Sequence, residues 1–401
     1  MNDSLKIAIA VHGRFHAFDL TRALLQRGHD VTLFTNYPVF VAERFGVPGD
    51  RVRSYLTHGV VERTVQRGRK ILGTPYPEAF THQMFGRWLA RNVSQESWDV
   101  VHCWSGVSEE LLEVFADRPG QTVLKRGSSH IRVQNRLLRE EEERAGTSVD
   151  RPSPWMIERE EREYDMVNHV AVLSTFAERS FLDEGIQLSK IETHTLGVEA
   201  ETFRLEREVI EERCRRIESG EPLRVLYVGM LAYRKGMLDA IEVARKMNDE
   251  NVQFRFVGPV SREFSERMDF LKQFAEHVPN QPQSQLPGWY AKGDIFLFPT
   301  VEDGFAAVLT QAQAAGLPLL ATTNCSGPDL IEDGENGWVL PIRSPDEFVE
   351  RLRWCNEHRD RLADMVRHTY HTYQAPRWND AAAEFEEVCT AALSSAANEA
   401  T

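Results

Sequence analysis

LRVLYVGMLAYRKGMLDAI, residues 223–241, reads as a buried strand, a loop marked by glycines and the opening of a helix. The run 223–228 is apolar and carries Val225, Tyr227 and Val228, the residue types that favour strands. Gly229 ends it, Arg234 and Lys235 stand in the loop, and Gly236 opens the helix. Two adjacent cations at the C-terminal edge of a parallel strand suit a diphosphate, arginine through forked hydrogen bonds and lysine as a point charge. Taken alone, the segment reads equally well as a solvated basic turn.

Further along, DIFLFPTVEDGFAAVLTQAQAAGLPLLAT, residues 294–322, repeats the strand, loop and helix pattern. Pro299 ends the strand, Glu302 and Asp303 precede Gly304, and a helix starting near Phe305 turns free N–H groups and a positive dipole end towards an anion. Asp303 and Gln311 lie a little over two helical turns apart, which puts them on nearby faces. The plain alternative is that Asp303 caps the helix and Gln311 lies on the surface. With VQFRFVG at 252–258, these segments make one α/β unit.

The first half repeats the scheme. Apolar runs at 5–11, 30–35, 98–104, 121–126 and 167–174 alternate with helical sequence, as in a doubly wound α/β domain with right-handed crossovers. The charge-dense stretches 136–146 and 156–165 read as exposed helices. Residues 205–222 combine a charged helix with Glu-Ser-Gly-Glu-Pro, a composition shift just ahead of a fresh strand that suggests a hinge, and 377–395 is a last amphipathic helix after Pro376.

At 401 residues the chain is long enough for two or three domains. With 42% hydrophobic and 27% charged residues it belongs with globular proteins, and a net charge of −14 argues against a general affinity for nucleic acid. The five cysteines form neither a metal pair nor a disulfide framework, which fits a reducing compartment. The first apolar run is too short for a signal peptide or a membrane span, so a cytoplasmic protein is expected.

Together these residues resemble glycosyltransferase family 4, the retaining nucleotide-sugar transferases of GT-B fold, over most of the chain and most densely from 223 to 341. The resemblance implies two Rossmann-like, doubly wound domains facing each other across a cleft. Residues 1–205 would form the acceptor domain, 206–222 a hinge, 223–375 the donor domain and 376–401 a helix crossing back to the first domain. Lys235 stands in the place of the family's diphosphate-binding lysine, with Gly229 opening the loop, Arg234 beside it, and Met230 where many members have arginine. Asp303-Gly304-Phe305-Ala306 and Gln311-Ala312 match the family's E-G-F-G and E-A segments, with Asp and Gln replacing two glutamates. The first position lies near the donor sugar in the family, and Glu302 can share its role. The second binds the ribose, which an amide can still do. Residues 278–282, including Pro279, fall where backbone contacts hold the base; uracil and guanine stay open. Asp329 stands near a usual acidic position.

In the first half, Gly13 stands where the family commonly has two glycines. His12, Arg14 and His16 become acceptor or phosphate contacts. Arg126, Ser128, Ser129 and His130 follow a strand and would face the cleft, His130 as a catalytic candidate, although a lone histidine is more often structural. Glu199 would lie beside the cleft.

The resemblance implies transfer of a hexosyl unit from a UDP- or GDP-sugar to a hydroxyl acceptor, sugar or lipid-linked, with retention, in polysaccharide or glycolipid synthesis. Lys235, Arg234 and the helix start at 304–307 would stabilise the departing diphosphate, whose phosphate accepts the acceptor proton. No metal or other cofactor is expected, since no Asp-X-Asp motif stands at a strand end. Rival readings are an epimerase or hydrolase of the same fold and a weakly catalytic sugar-nucleotide-binding subunit. A dinucleotide oxidoreductase fits poorly, because no GxGxxG follows either leading strand. Arg63, Arg67 and Lys70 recur at helical spacing beside Val60, Val61, Ile71 and Leu72. That face reads as solvated, with at most a reversible, salt-sensitive contact with the cytoplasmic membrane face.

Overall fold

Each half of the chain buries one parallel sheet. The computed structural model describes residues 4–72, 76–194 and 196–399. The first sheet contains β1 (Lys6–Val11), β2 (Asp30–Thr35), β3 (Val52–Ser54), β4 (Val100–Trp104), β5 (Gln121–Lys125), β6 (His169–Val172) and β7 (Ile191–Thr193), in the order β3-β2-β1-β4-β5-β6-β7. The second contains β8 (Leu223–Val228), β9 (Val252–Val257), β10 (Glu276–Val278), β11 (Ile295–Phe298), β12 (Leu319–Thr322) and β13 (Gly337–Leu340), in the order β10-β9-β8-β11-β12-β13. Pairing is parallel throughout, with Ile7 opposite Val31 and Val100, and Val225 opposite Phe254 and Ile295. Strand order reverses between β1 and β4 and again between β8 and β11. Loops leaving such switch points open a crevice at the carboxyl ends of the strands, where α/β sheets bind ligands. These are the two Rossmann-like, doubly wound domains that the resemblance implies. Strands β3, β7 and β10 were not anticipated; at three residues each they carry no periodicity to read.

Residues 206–222 are not a linker. They hold the helix Arg207–Glu218, which buries Ile210, Cys214 and Ile217 in the core of the second domain. Its Arg213 is fully buried and donates to the carbonyls of Ala315 (2.6 Å) and Tyr290 (3.0 Å). Part of the charge that suggested a hinge is thus spent on main-chain carbonyls inside the domain. The chain crosses earlier: Ala200 and Phe203 already belong to the second core, and Val198 N–H bonds the carbonyl of Pro376 on the returning segment at 2.9 Å.

The two charge-dense helices are not wholly solvated either: each buries one face and keeps exposed residues such as Arg139 and Arg162 on the other. Helix Ile131–Ala145 lies between the domains, with Glu141 fully buried and Leu138 and Ala145 packed into the second core. Arg343 reaches back to Glu141 (2.6 Å) and to the carbonyl of Leu137 (3.0 Å), and Arg144 pairs with Asp239 at 2.6 Å. Helix Pro154–Met166 is capped by the Ser153 hydroxyl, which accepts from Met156 N–H, and starts with proline at its first position. It buries Arg159 and Glu163. Glu163 accepts the N–H groups of Gly106 (2.5 Å), Ser108 (2.7 Å) and Glu109 (3.0 Å), while Arg159 bonds the carbonyl of Gly106 and pairs with Glu109 and Glu110. Alternating charge here marks a buried ionic network that fixes the loop after β4.

The last helix, Trp378–Glu399, returns to the first domain and lies on the helix Ala17–Gln26. Ala382, Phe385 and Cys389 enter the first core, and Arg27 pairs with Glu386 at 2.6 Å. Among the described residues no helix is long and apolar enough to cross a membrane. Helix Leu56–Leu72 carries Val60, Arg63 and Arg67 exposed, while the side chains of Lys70, Ile71 and Leu72 lie outside the described set. Phe385→Ala should cost about 3–5 kcal/mol of stability, because a buried ring against His102 is replaced by a cavity. A urea midpoint equal to that of the parent protein would show that the helix does not complete the core.

Candidate active site

The turn after β8 is built to hold two cations. Tyr233 is buried against Phe264 and anchors the short turn Tyr233–Lys235. Gly236 sits at φ +71°, and a β-carbon there would lie 1.7 Å from the carbonyl oxygen of Pro299, so only glycine lets the helix Met237–Lys246 start against the end of β11. Lys235 Nζ lies 2.5 Å from Asp303 Oδ2 and Arg234 Nε 2.7 Å from Glu302 Oε2.

Glu302 is fully buried and reaches across to the first domain. Its Oε1 accepts from the Ser129 N–H (2.9 Å) and hydroxyl (2.8 Å), and its Oε2 from the Gln134 amide (3.1 Å). Arg234 also donates to the Ser128 hydroxyl at 2.9 Å. Burial by itself would raise the Glu302 carboxyl, but Arg234, the two Ser129 donors and Lys235 outweigh it and hold it below its ordinary range. Next to it the domains touch backbone to backbone: a β-carbon on Gly304 would lie 2.4 Å from the carbonyl oxygen of Gly127. Asp303 Oδ1 accepts from Phe305 N–H (3.3 Å), and the helix Ala307–Ala314 begins after Ala306 without a side-chain cap. Gln311 takes a hydrogen bond from the buried Tyr290 hydroxyl at 2.9 Å, which fixes its amide oxygen.

Two cavities meet at Gln134, Pro152 and Arg234. The larger, about 1160 Å³, lies between residues 147–154 of the first domain and Met230, Arg234, Lys235 and 261–263 of the second. The smaller, about 520 Å³, runs into the first domain past His12, His16, His82, Lys125 and Arg126, with Phe305 at the second-domain side. Asp303, Gln311 and Pro279 line neither; Pro279 is exposed beyond the end of β10.

On the acceptor side, Gly13 has φ +111° and is held by Asn36 and Thr35, and Arg14 lies over the Phe45 ring at 4.2 Å. Arg126 is tied to Glu160 (3.0 Å), to the Gln134 amide oxygen (2.8 Å) and to the Ser129 carbonyl (3.1 Å). His130 does not face the cleft. It is buried between Tyr164 and Phe181, and its Nδ1 accepts from Arg132 N–H to cap the helix Ile131–Ala145. Burial and Arg126 lower it to about 4. It is a structural cap, not a catalytic group. Glu199 is exposed and pairs with Arg22, and Asp329 accepts from Thr175 across the domain boundary.

Sequence reasoning passed over a histidine cluster. His12, His58 and Glu62 each place one ligand atom within 4.8 Å of the others, and the His82 ring lies 5.6 Å from His12. Two of these three are engaged elsewhere, His58 with Thr81 and Asn36 and Glu62 with the Tyr76 hydroxyl (2.6 Å) and Gln66 (3.1 Å), while His12 Nε2 is buried without a partner among the described residues. The i, i+4 spacing of His58 and Glu62 was the available signal. Lys125, which ends an apolar strand, was passed over as well.

The site at the end of β8 falls within a recognised family segment. Residues 222–358 match the family model Glycosyl transferases group 1. The putative colanic acid biosynthesis glycosyltransferase WcaL of Escherichia coli (strain K12) is 27% identical over 159 residues, 36% of this chain and 39% of that protein. The chain thus spans about two fifths of the length of that relative. A D-inositol 3-phosphate glycosyltransferase of Paenarthrobacter aurescens is 25% identical over 384 residues, 87% of this chain and 85% of that protein. Among solved structures, Anabaena HepE in complex with UDP and glucose superimposes with a TM-score of 0.66 at 13% identity, over 96% of this chain and 100% of that one. That likeness shows the fold, GT-B, for nearly the whole chain.

Burial lowers His12 and His16 to about 4 and His82 and His194 to about 3. The unfolded chain therefore takes up protons first as pH falls below the ordinary histidine value of about 6.5. The stabilisation is complete above that value and is lost as pH drops towards 4, by up to about 1.4 kcal/mol per pH unit for each ring. Both nitrogens of the His194 ring are buried without a partner among the described residues. His194→Leu should flatten this acid limb in urea titrations without loss of stability at neutral pH; an unchanged slope would show that the ring is not held neutral.

Proposed function

We propose that the protein is a retaining glycosyltransferase. It moves a hexosyl unit from a UDP- or GDP-sugar to a hydroxyl acceptor in the synthesis of a polysaccharide or related glycoconjugate. The observation that carries the reading is the Arg234-Lys235 turn at the β8–β11 switch point, opposite the start of the helix Ala307–Ala314 and open to the larger cavity. The match to Glycosyl transferases group 1 over this segment supports it, as do the names of the relatives, which concern colanic acid and inositol phosphate glycosylation.

As the donor bond breaks, the sugar ring becomes cationic and the diphosphate takes up the electron pair. Lys235 and Arg234 meet that growing charge, and preorganised donors of this kind supply the largest part of the rate. Lys235 is paired with Asp303, so a diphosphate that Lys235 binds takes the place of a carboxylate and releases Asp303 towards the sugar. The β-phosphate oxygen of the leaving group takes the acceptor hydroxyl proton while the acceptor oxygen bonds the anomeric carbon from the same face. This reading calls on no metal, and it places the protein in the cytoplasm with at most reversible membrane contact.

Lys235→Ala should lower kcat by more than it weakens donor binding, since the charge it meets is greatest in the transition state. Turnover equal to the parent protein at saturating donor would remove Lys235 from the mechanism. Gln311→Ala should act chiefly on the donor dissociation constant, by about 1–3 kcal/mol, if its amide bonds the ribose. A thermal-shift comparison of UDP and GDP tests the donor class directly: one of them should raise the melting temperature with increasing concentration, and silence from both would overturn the proposal.

A further inference from the structure

Three cations beside the cleft are each matched with a carboxylate, and Lys125 is not. Arg126 pairs with Glu160, Arg234 with Glu302 and Lys235 with Asp303. Lys125, the last residue of β5, lines the smaller cavity and is 8% exposed, and no carboxylate lies within ion-pair distance of it among the described residues. A buried ammonium with no counter-ion is costly, so it gives up its proton unless a ligand brings the missing charge.

The surroundings of Lys125 supply no negative charge. Electrostatically coupled to it are His16 beyond β1, His102 on β4 and His194 beyond β7, with Arg14 acting on His16 as well. All three rings are pushed down by burial and by this lysine. Burial likewise lowers Lys125 itself, to about 7. Glu160, the carboxylate lining this cavity, is already engaged by Arg126 and by the Tyr164 hydroxyl at 2.5 Å. The cavity therefore ends in a basic, solvent-poor pocket on the acceptor side of Arg234.

We propose that Lys125 is an anchor for an acceptor that carries a fixed negative charge, a phosphate ester or a carboxylate, beside the hydroxyl that is glycosylated. The inference rests on the glycosyltransferase reading and narrows its acceptor class. The charged group would lie at the Lys125 end of the smaller cavity, and the reacting hydroxyl would point towards Arg234 and the donor, where the two cavities meet.

The test is calorimetric titration of glucose 6-phosphate, glucuronate, methyl α-glucoside and inorganic phosphate into the protein saturated with UDP or GDP, whichever binds, for the parent chain and for Lys125→Met. At least one of the two charged sugars should bind and the neutral glucoside should bind at least about tenfold more weakly. Lys125→Met should lose about tenfold or more in affinity for the charged sugar and bind the nucleotide as before, which also reports that it is folded. Equal binding of the neutral glucoside, binding of neither charged sugar, or a charged sugar indifferent to Lys125→Met would each overturn the proposal. So would inorganic phosphate binding as tightly as the sugar, which would make this an anion site without sugar recognition. A nucleotide affinity that falls in Lys125→Met would assign the charge to the donor and overturn it too. Failure of the parent chain to bind either nucleotide is a separate result: it removes the glycosyltransferase reading on which the acceptor class depends.

Discussion

A carboxylate with no access to water must have its lone pairs filled, and Glu302 has its own filled from two domains at once. Arg234 comes from its own domain, and Ser129 and Gln134 from the other. Separating the domains would leave a charge without half of its donors unless water entered behind it. The closed arrangement is therefore written into one side chain, and the backbone contact of Gly304 with Gly127 shows how little space remains once the carboxylate is satisfied. The same contact sets Arg234 at the edge of both cavities and Lys235 at the edge of the larger one. Electrostatics that hold the domains together and electrostatics that would meet a diphosphate are in this chain one connected set of residues.

Buried charge serves the first domain in a second way. Glu163 and Arg159 hold the loop after β4 by its backbone N–H and carbonyl groups, as a short strand or a turn would elsewhere. That loop, with Ser105, Gly106 and Val107, is a wall of the smaller cavity. A wall fixed by ion pairs to a helix keeps its shape beside the histidines and Lys125 that share the cavity with it.

The long strands were legible because continuous apolar runs of five or six residues bounded by glycine or proline have few other uses. The glycine-flanked cations at 234–235 and the acidic pair at 302–303 were legible for a related reason: small residues and charges at strand ends are where α/β folds place ligand contacts. What could not be read depended on partners distant in sequence. Glu141, Arg159, Glu163 and Arg213 look like surface charges until the elements that enclose them are in place, so the two charged helices read as solvated and residues 206–222 as a hinge. Composition records how polar a residue is, not what surrounds it. His130 misled in the opposite sense, since its position after a strand suggested the cleft while its ring caps the next helix. Lys125 escaped notice because a lysine beside Arg126 at the end of QTVLKR looks like the ordinary finish of a strand.

The return of the helix Trp378–Glu399 to the first domain has a consequence for biosynthesis. Ala382, Phe385 and Cys389 fill a core whose other buried members lie between residues 5 and 191, so the first domain lacks part of its interior until this later segment has been made and is free. While the second domain is emerging from the ribosome, the first exposes the apolar seat of that helix beside Ala17–Gln26. Domains usually mature in the order of their synthesis; here the first can finish only after the second, and a ribosome stalled late in the message would hold an otherwise formed protein with an open, adhesive face.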